Sequence, residues 1–218
     1  MTALVRLAIL FVLATIALPA MAQDFAQQVE LMRRAEVDQR VAAIWDTLSN
    51  DPAAPVIGNP KGDVTVVAFF DYTCPYCKAA EPRLMALVAR DRHIKLVLKE
   101  YPILAPVSLV ATRAALAARK QGKYARFHQA MMRYQGLLTQ MDVFDMARAS
   151  GLDVARLKRD MDAPEISDQI ISVFNQARAI RIFQTPAFIV GGRRGVHVLD
   201  SESASIDFAR EVAHARGR

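Results

Sequence analysis

The chain holds only two cysteines, and their placement constrains its fold more than any other feature. Val64 to Phe70 (VTVVAFF) is an apolar run rich in β-branched and aromatic residues, which suits a strand buried on both faces. Cys74-Pro75-Tyr76-Cys77 comes next and opens a helix predicted through about Arg90. His93 to Leu98 (HIKLVL) reads as a second strand. A strand, a crossover helix and a second strand form a βαβ unit, and hence a parallel pair. Pro75 fits the first helical turn, where its missing N–H is no loss. Cys74 then lies at or beside the N-cap, facing unpaired N–H groups and the positive end of the helix dipole. That position lowers a thiol pKa, typically to about 3.5–7.5. Residues i and i+3 share a helix face, so the two sulfurs lie within disulfide reach. Cys77, one turn inward, is expected to be more buried and less reactive. The asymmetry suits an attacking Cys74 and a Cys77 that resolves the mixed disulfide.

Other uses of two thiols fit less well. A bridge here closes a four-residue loop and restricts the unfolded chain very little, so a purely structural role gains little. Structural zinc needs two further ligands, and His93, His128, His197 and His214 are scattered without metal spacing. Two soft thiolates can hold Cu(I), which leaves a copper-handling reading open. No resident metal and no cofactor are expected.

The first residues read as an export leader. Arg6 precedes an apolar run from Leu7 to Leu18, Pro19 breaks it, and Ala20-Met21-Ala22 supplies the small residues before a cleavage point. That run is shorter than the about 20 residues needed to span a bilayer. Cleavage after Ala22 and a location in the periplasm are expected. Residues 24 to 49 read as helix, with Phe25, Val29 and Met32, then Val41, Ile44, Trp45 and Leu48, on apolar faces. Residues 50 to 62 read as a connection. Residues 105 to 180 are helical in pattern, with breaks at Gly122, Gly136, Gly151 and Pro164. Ala187 to Val190, Gly191-Gly192 and Val196 to Leu199 read as a hairpin, and Ser203 to Arg216 as a closing helix. The net charge is +6, without a basic block interleaved with aromatics, so nucleic acid is not an expected partner.

FFDYTCPYCK (69–78), KEYPIL (99–104) and QTPAFIVGG (184–192) together resemble the DsbA-like family of thioredoxin-fold thiol–disulfide oxidoreductases. The resemblance implies an α/β thioredoxin fold of order βαβ–ββα with an all-helical insertion at about 105–180. The domain reading is a leader over 1–22, a helical extension over 23–54 and the main domain over 55–218. The resemblance also implies a cis Thr185-Pro186 bond beside the cysteines and client contacts at Pro75, Tyr76, Thr185 and Pro186. The implied activity is disulfide exchange with client proteins carrying thiols or disulfides, most simply as an oxidase recharged by a membrane redox partner. The alternatives are an oligomeric isomerase or reductase, or the Cu(I)-handling role. The sequence departs from the classical periplasmic oxidase in four places. Tyr76 replaces a histidine, which implies a milder oxidant. Ala68 replaces a buried glutamate, leaving Lys99 or Glu100 as candidates to exchange a proton with Cys77. The loop Asp200-Ser201-Glu202-Ser203 differs from the relatives' proline- and glycine-containing loop. The N-terminal helix is an extra, similar in placement to the oligomerising extensions of periplasmic isomerases and suppressor-of-copper-sensitivity proteins.

Overall fold

A computed structural model describes residues 3–199 and 206–217, with side chains from residue 22 onward. The loop Asp200–Ser203 and the start of the closing helix predicted at Ser203 therefore lie outside the described residues. The chain separates into two units, residues 1–39 and 40–218. The first is carried by helix α1 (Ala3–Ala43), which runs on into the start of the second. Phe25 (69% exposed), Val29, Leu31 and Met32 are exposed on it. The single helix predicted over 24–49 is interrupted at Ile44, whose φ of −118° and ψ of 16° are not helical, and resumes as α2 (Trp45–Ser49). Among the described residues, no helix is long and apolar enough to cross a membrane.

The second unit is built on a five-stranded sheet of order β1-β3-β2-β4-β5. Its strands are β1 (Val56–Gly58), β2 (Val64–Phe70), β3 (Ile94–Glu100), β4 (Ala187–Gly192) and β5 (Gly195–Val198). β2 and β3 pair in parallel from Val64↔Ile94 to Phe70↔Glu100, joined by α3 (Pro75–Arg90). The other pairs, β1 with β3, β2 with β4 and β4 with β5, are antiparallel. β1 lies inside the stretch read from sequence as a connection. Three residues at a sheet edge, ending in Gly58, are too short to show a period of two.

Alternation along the strands sends Ala68, Phe70, Leu96, Leu98 and Phe188 into one core together with Cys77 and Leu84 of α3. On the opposite face Lys99 pairs with Asp51 at 2.6 Å, and Gln176 donates to the same carboxylate. The helical insertion comprises α4 (Pro106–Ala118), α5 (Tyr124–Arg133), α6 (Gln140–Ala149), α7 (Val154–Met161) and α8 (Pro164–Ala179). The hairpin turn falls at Arg193-Arg194 rather than at the glycines. Gly191 and Gly192 lie within β4 because a Cβ there would come within 2.2 Å of the Trp45 ring and 2.6 Å of the Ala215 carbonyl. The last helix, α9 (Phe208–Arg216), ends on Arg216, whose guanidinium binds Asp63 and Asp91.

Candidate active site

The end of β2 and the start of α3 build the site. Cys74 is the N-cap of α3, in extended backbone conformation, and Pro75 takes the first helical position. The Cys77 N–H donates to Cys74 Sγ at 3.3 Å, so the sulfur fills the capping role usually taken by a serine or aspartate oxygen. Both cysteines are free thiols. The Cys74 thiol also donates to the Thr185 carbonyl at 3.3 Å, and the Thr185-Pro186 bond is cis. Tyr76 is 68% exposed. Cys74, Cys77, Thr185 and Pro186 thus meet, with Pro75 and Tyr76 on the first turn of the same helix.

Both cysteines are covered, at 2% and 1% exposed for Cys77 and Cys74, and burial weighs more heavily on the Cys77 thiol, one turn inside the helix. A hydrogen bond from the Cys77 thiol lowers the Cys74 pKa to about 6 against the opposing effect of burial, helped by the Cys77 N–H, the Thr185 hydroxyl and the Tyr76 N–H. Burial pushes the Cys77 thiol far up, and its bond to the Cys74 sulfur adds to this. The Thr185 Oγ1 is buried without a hydrogen-bond partner of ordinary length.

Asp71 holds the loop that presents Cys74. Its buried carboxylate accepts from the Thr73 N–H (2.7 Å), the Thr73 hydroxyl (2.8 Å) and the Ser108 hydroxyl (2.7 Å). It also accepts from the N–H groups of Ile103 (2.9 Å) and Leu104 (3.0 Å). The Asp71 carbonyl takes the Cys74 N–H at 3.1 Å. One carboxylate therefore ties the cysteine loop to the segment after β3 and to the first turn of α4. The sequence reading gave Asp71 no role. The available signal was an acidic residue ending a buried strand with Thr two places on, the pattern of a side-chain-capped turn.

The two candidates for proton exchange fall on opposite faces of β3. Lys99 is committed to Asp51, away from α3. Glu100 lies on the α3 face but is enclosed by the Tyr72 (2.9 Å), Tyr124 (2.8 Å) and Thr112 (3.1 Å) hydroxyls. His128 Nδ1 lies 2.9 Å from the Tyr72 oxygen. Burial raises the Glu100 carboxyl to about 8, although the three hydroxyls pull it back down. Burial lowers His128 to about 3.

A pH dependence follows from these two groups. Glu100 holds its proton longer in the folded state, so its contribution is complete below the ordinary carboxylate range and is lost as pH rises toward about 8. His128 acts in the other direction, its contribution being lost as pH falls below about 6.5. Between pH 6.5 and 8, His128 is neutral in both states. In the disulfide form, where neither thiol titrates, urea midpoints should fall across that window more steeply in the wild type than in Glu100→Gln. Equal slopes would exclude a protonated, buried Glu100.

The chain belongs to the DSBA-like thioredoxin domain family, whose model matches residues 65–208. It is similar in structure to a thioredoxin-like oxidoreductase from Silicibacter pomeroyi DSS-3, at 43% identity and a TM-score of 0.71, covering 79% of this chain and 98% of that one. It is also similar to the thiol-disulfide exchange protein alpha-DsbA2 from Wolbachia pipientis, at 25% identity and a TM-score of 0.73, covering 84% of this chain and 97% of that one. A sequence relative is the Na(+)/H(+) antiporter NhaA 1 of Salinispora arenicola, 30% identical over 173 residues, which are 77% of this chain and 26% of that protein. This chain thus spans about a quarter of the length of such antiporters.

Proposed function

We propose that the protein is an exported thiol–disulfide oxidoreductase that oxidises client dithiols through Cys74 and Cys77. The observation that carries this reading is the divergence of the two thiols, Cys74 held down to about 6 and Cys77 pushed up by burial. In the disulfide form, a client thiolate attacks Cys74 Sγ. The Cys74–Cys77 bond breaks and Cys77 leaves. A second client thiolate then attacks the client sulfur and releases Cys74 as a thiolate. Two electrons pass from the client to the pair, which a membrane redox partner restores. Pro75 and Tyr76 flank the attacked sulfur, and the Thr185 backbone before Pro186 offers the client an edge to pair with.

Magnitudes favour the oxidising direction. At pH 7 a pKa of about 6 gives about thirtyfold more thiolate than an ordinary cysteine with a pKa near 8.5. Intrinsic nucleophilicity falls by about tenfold over the same shift, because it follows pKa with a slope of about 0.4–0.5. The two nearly cancel for attack. Departure of Cys74 keeps the full advantage of a low pKa.

An isomerase reading is favoured by one observation, the exposed Phe25, Leu31 and Met32. An apolar set of this kind invites association, and several thiol pairs around one client suit the shuffling of wrong bridges. Alkylation-trapping of Cys74 and Cys77 in the native compartment decides between the readings. The oxidase predicts mostly disulfide. Mostly dithiol would overturn it in favour of the isomerase or a reductase, and thiols labelled only after a Cu(I) chelator is added would indicate copper handling.

A further inference from the structure

The helix that carries the cysteines also carries a lysine one turn beyond Cys74. The Lys78 N–H donates to the Cys74 carbonyl at 3.1 Å, closing the first turn of α3. Residues four apart share a helix face, and helical side chains lean toward the N-terminus. The Lys78 stem therefore leans back toward the turn that holds Cys74. Its ammonium is held in place from the helical insertion. Nζ donates to the Tyr134 carbonyl at 2.7 Å and lies 5.5 Å from the centroid of the Tyr134 ring. Tyr134 is the C-cap of α5, where the last carbonyls lack helical partners and carry the negative end of the dipole. A lysine is favoured there, and the ring face adds a cation–π attraction. Two anionic groups act on this half-buried charge, the Asp71 carboxylate and the Cys74 thiolate, and both oppose the lowering of the Lys78 pKa by burial.

We propose that Lys78, clamped at the C-terminus of α5, tunes the cysteine pair by attracting the Cys74 thiolate and so favouring the reduced form. The inference rests on the oxidoreductase reading and deepens it by naming the charge that offsets Asp71. Asp71 holds the cysteine loop through Thr73, but a carboxylate close to a thiolate disfavours it. Lys78 faces both anions and offsets that cost.

In the releasing step a client thiolate attacks the client sulfur of the mixed disulfide. The bond from that sulfur to Cys74 breaks, and its electron pair stays on Cys74 Sγ. Negative charge thus passes from the client onto Cys74, within the field of the ammonium. Lys78 keeps its proton throughout. Whatever stabilises the departing thiolate speeds this step and makes the disulfide a stronger oxidant. Tyr76 brings no positive charge to the first turn, and Lys78 brings one from the far end of that turn. The clamp belongs to α5, so the helical insertion takes part in setting the potential of the pair.

The test compares Lys78→Met and Lys78→Arg with the wild type, all as the full chain. The readouts are the pH midpoint of Cys74 alkylation and the equilibrium constant with glutathione. Lys78→Met should raise the midpoint by about 0.2–0.7 pH unit and shift the equilibrium about 1.5- to 5-fold toward the disulfide, the range of a partly exposed ion pair. Lys78→Arg keeps the charge and should stay close to the wild type. The effect of Lys78→Met should shrink between about 0.01 M and about 1 M salt, as the screening length falls from about 30 Å to about 3 Å. Wild-type values in Lys78→Met, with the wild type active, would overturn the role of Lys78 alone. Equal shifts in both variants would mark a structural effect and overturn it too. A wild type that exchanges no disulfide would overturn the oxidoreductase reading beneath it. If Lys78→Met unfolds, ¹³C titration of the Lys78 side chain in the wild type takes its place. By reciprocity its pKa should be higher in the dithiol form than in the disulfide form by the same about 0.2–0.7 unit. An identical titration in the two forms would refute the proposal.

Discussion

Cys77→Ser should accumulate mixed disulfides between Cys74 and client proteins, while Cys74→Ser should form none and lose all exchange. With Cys77 absent, the Cys74 thiolate still attacks a client disulfide, because Thr185 and the Tyr76 N–H remain beside it and the helix dipole is unchanged. The adduct then lacks its resolving thiol and persists until an external thiol releases it. A second main-chain contribution remains, the N–H of residue 77 that caps against Cys74 Sγ, while the side-chain hydrogen bond is replaced by that of a serine hydroxyl. In Cys74→Ser the remaining thiol is Cys77, buried and with its pKa pushed upward. Non-reducing electrophoresis of the two variants incubated with a reduced, unfolded client mixed with its scrambled form reads the difference. Adducts of equal abundance from both variants would remove the distinction between attacking and resolving thiols.

Asp71→Ala should be among the most damaging single changes in the second unit. It would leave the N–H groups of Thr73, Ile103 and Leu104 without their acceptor, while the Thr73 and Ser108 hydroxyls keep each other as partners at 2.9 Å. Each buried group left unsatisfied costs about 1–3 kcal/mol. Water entry and relaxation recover part of this, so a net loss of about 2–5 kcal/mol is expected. That is a large share of the about 5–15 kcal/mol by which a domain is stable. Asp71→Asn keeps one acceptor oxygen and should cost less. Urea unfolding of the disulfide form measures both. The loosened loop should also slow Cys74 alkylation, because the Asp71 carboxylate holds the N–H and hydroxyl of Thr73, the residue just before Cys74. An unchanged unfolding midpoint in Asp71→Ala would refute this role.

The parts of the fold that could be read from the sequence were those set by local periodicity. The run VTVVAFF became a buried central strand, the Cys-x-x-Cys opened α3, and the glycine and proline breaks at Gly122, Gly136, Gly151 and Pro164 separate the insertion into its helices. What stayed hidden depends on contacts distant in sequence. β1 is strand because it pairs with β3, and Gly191 lies mid-strand because of Trp45. At the site, the cysteine pair could be read because spacing and helix position carry its chemistry, and the proximity of Thr185 and Pro186 came from family resemblance. Lys99 and Glu100 are adjacent in sequence, yet β3 sends them to opposite faces, one to Asp51 and the other to a cage of hydroxyls. Asp71 went unassigned because a charged residue gives no sign in sequence that it will be buried, and the five donors around it come together only once the chain is folded.

The most direct test of the account is residue-resolved alkylation of the reduced protein by iodoacetamide across pH 4 to 9. The account predicts that Cys74 is labelled first, with a rate that titrates near pH 6, and that Cys77 stays essentially unlabelled in the folded protein throughout. Labelling of Cys77 ahead of Cys74, or a Cys74 profile with the midpoint of an ordinary thiol near 8.5, would contradict it.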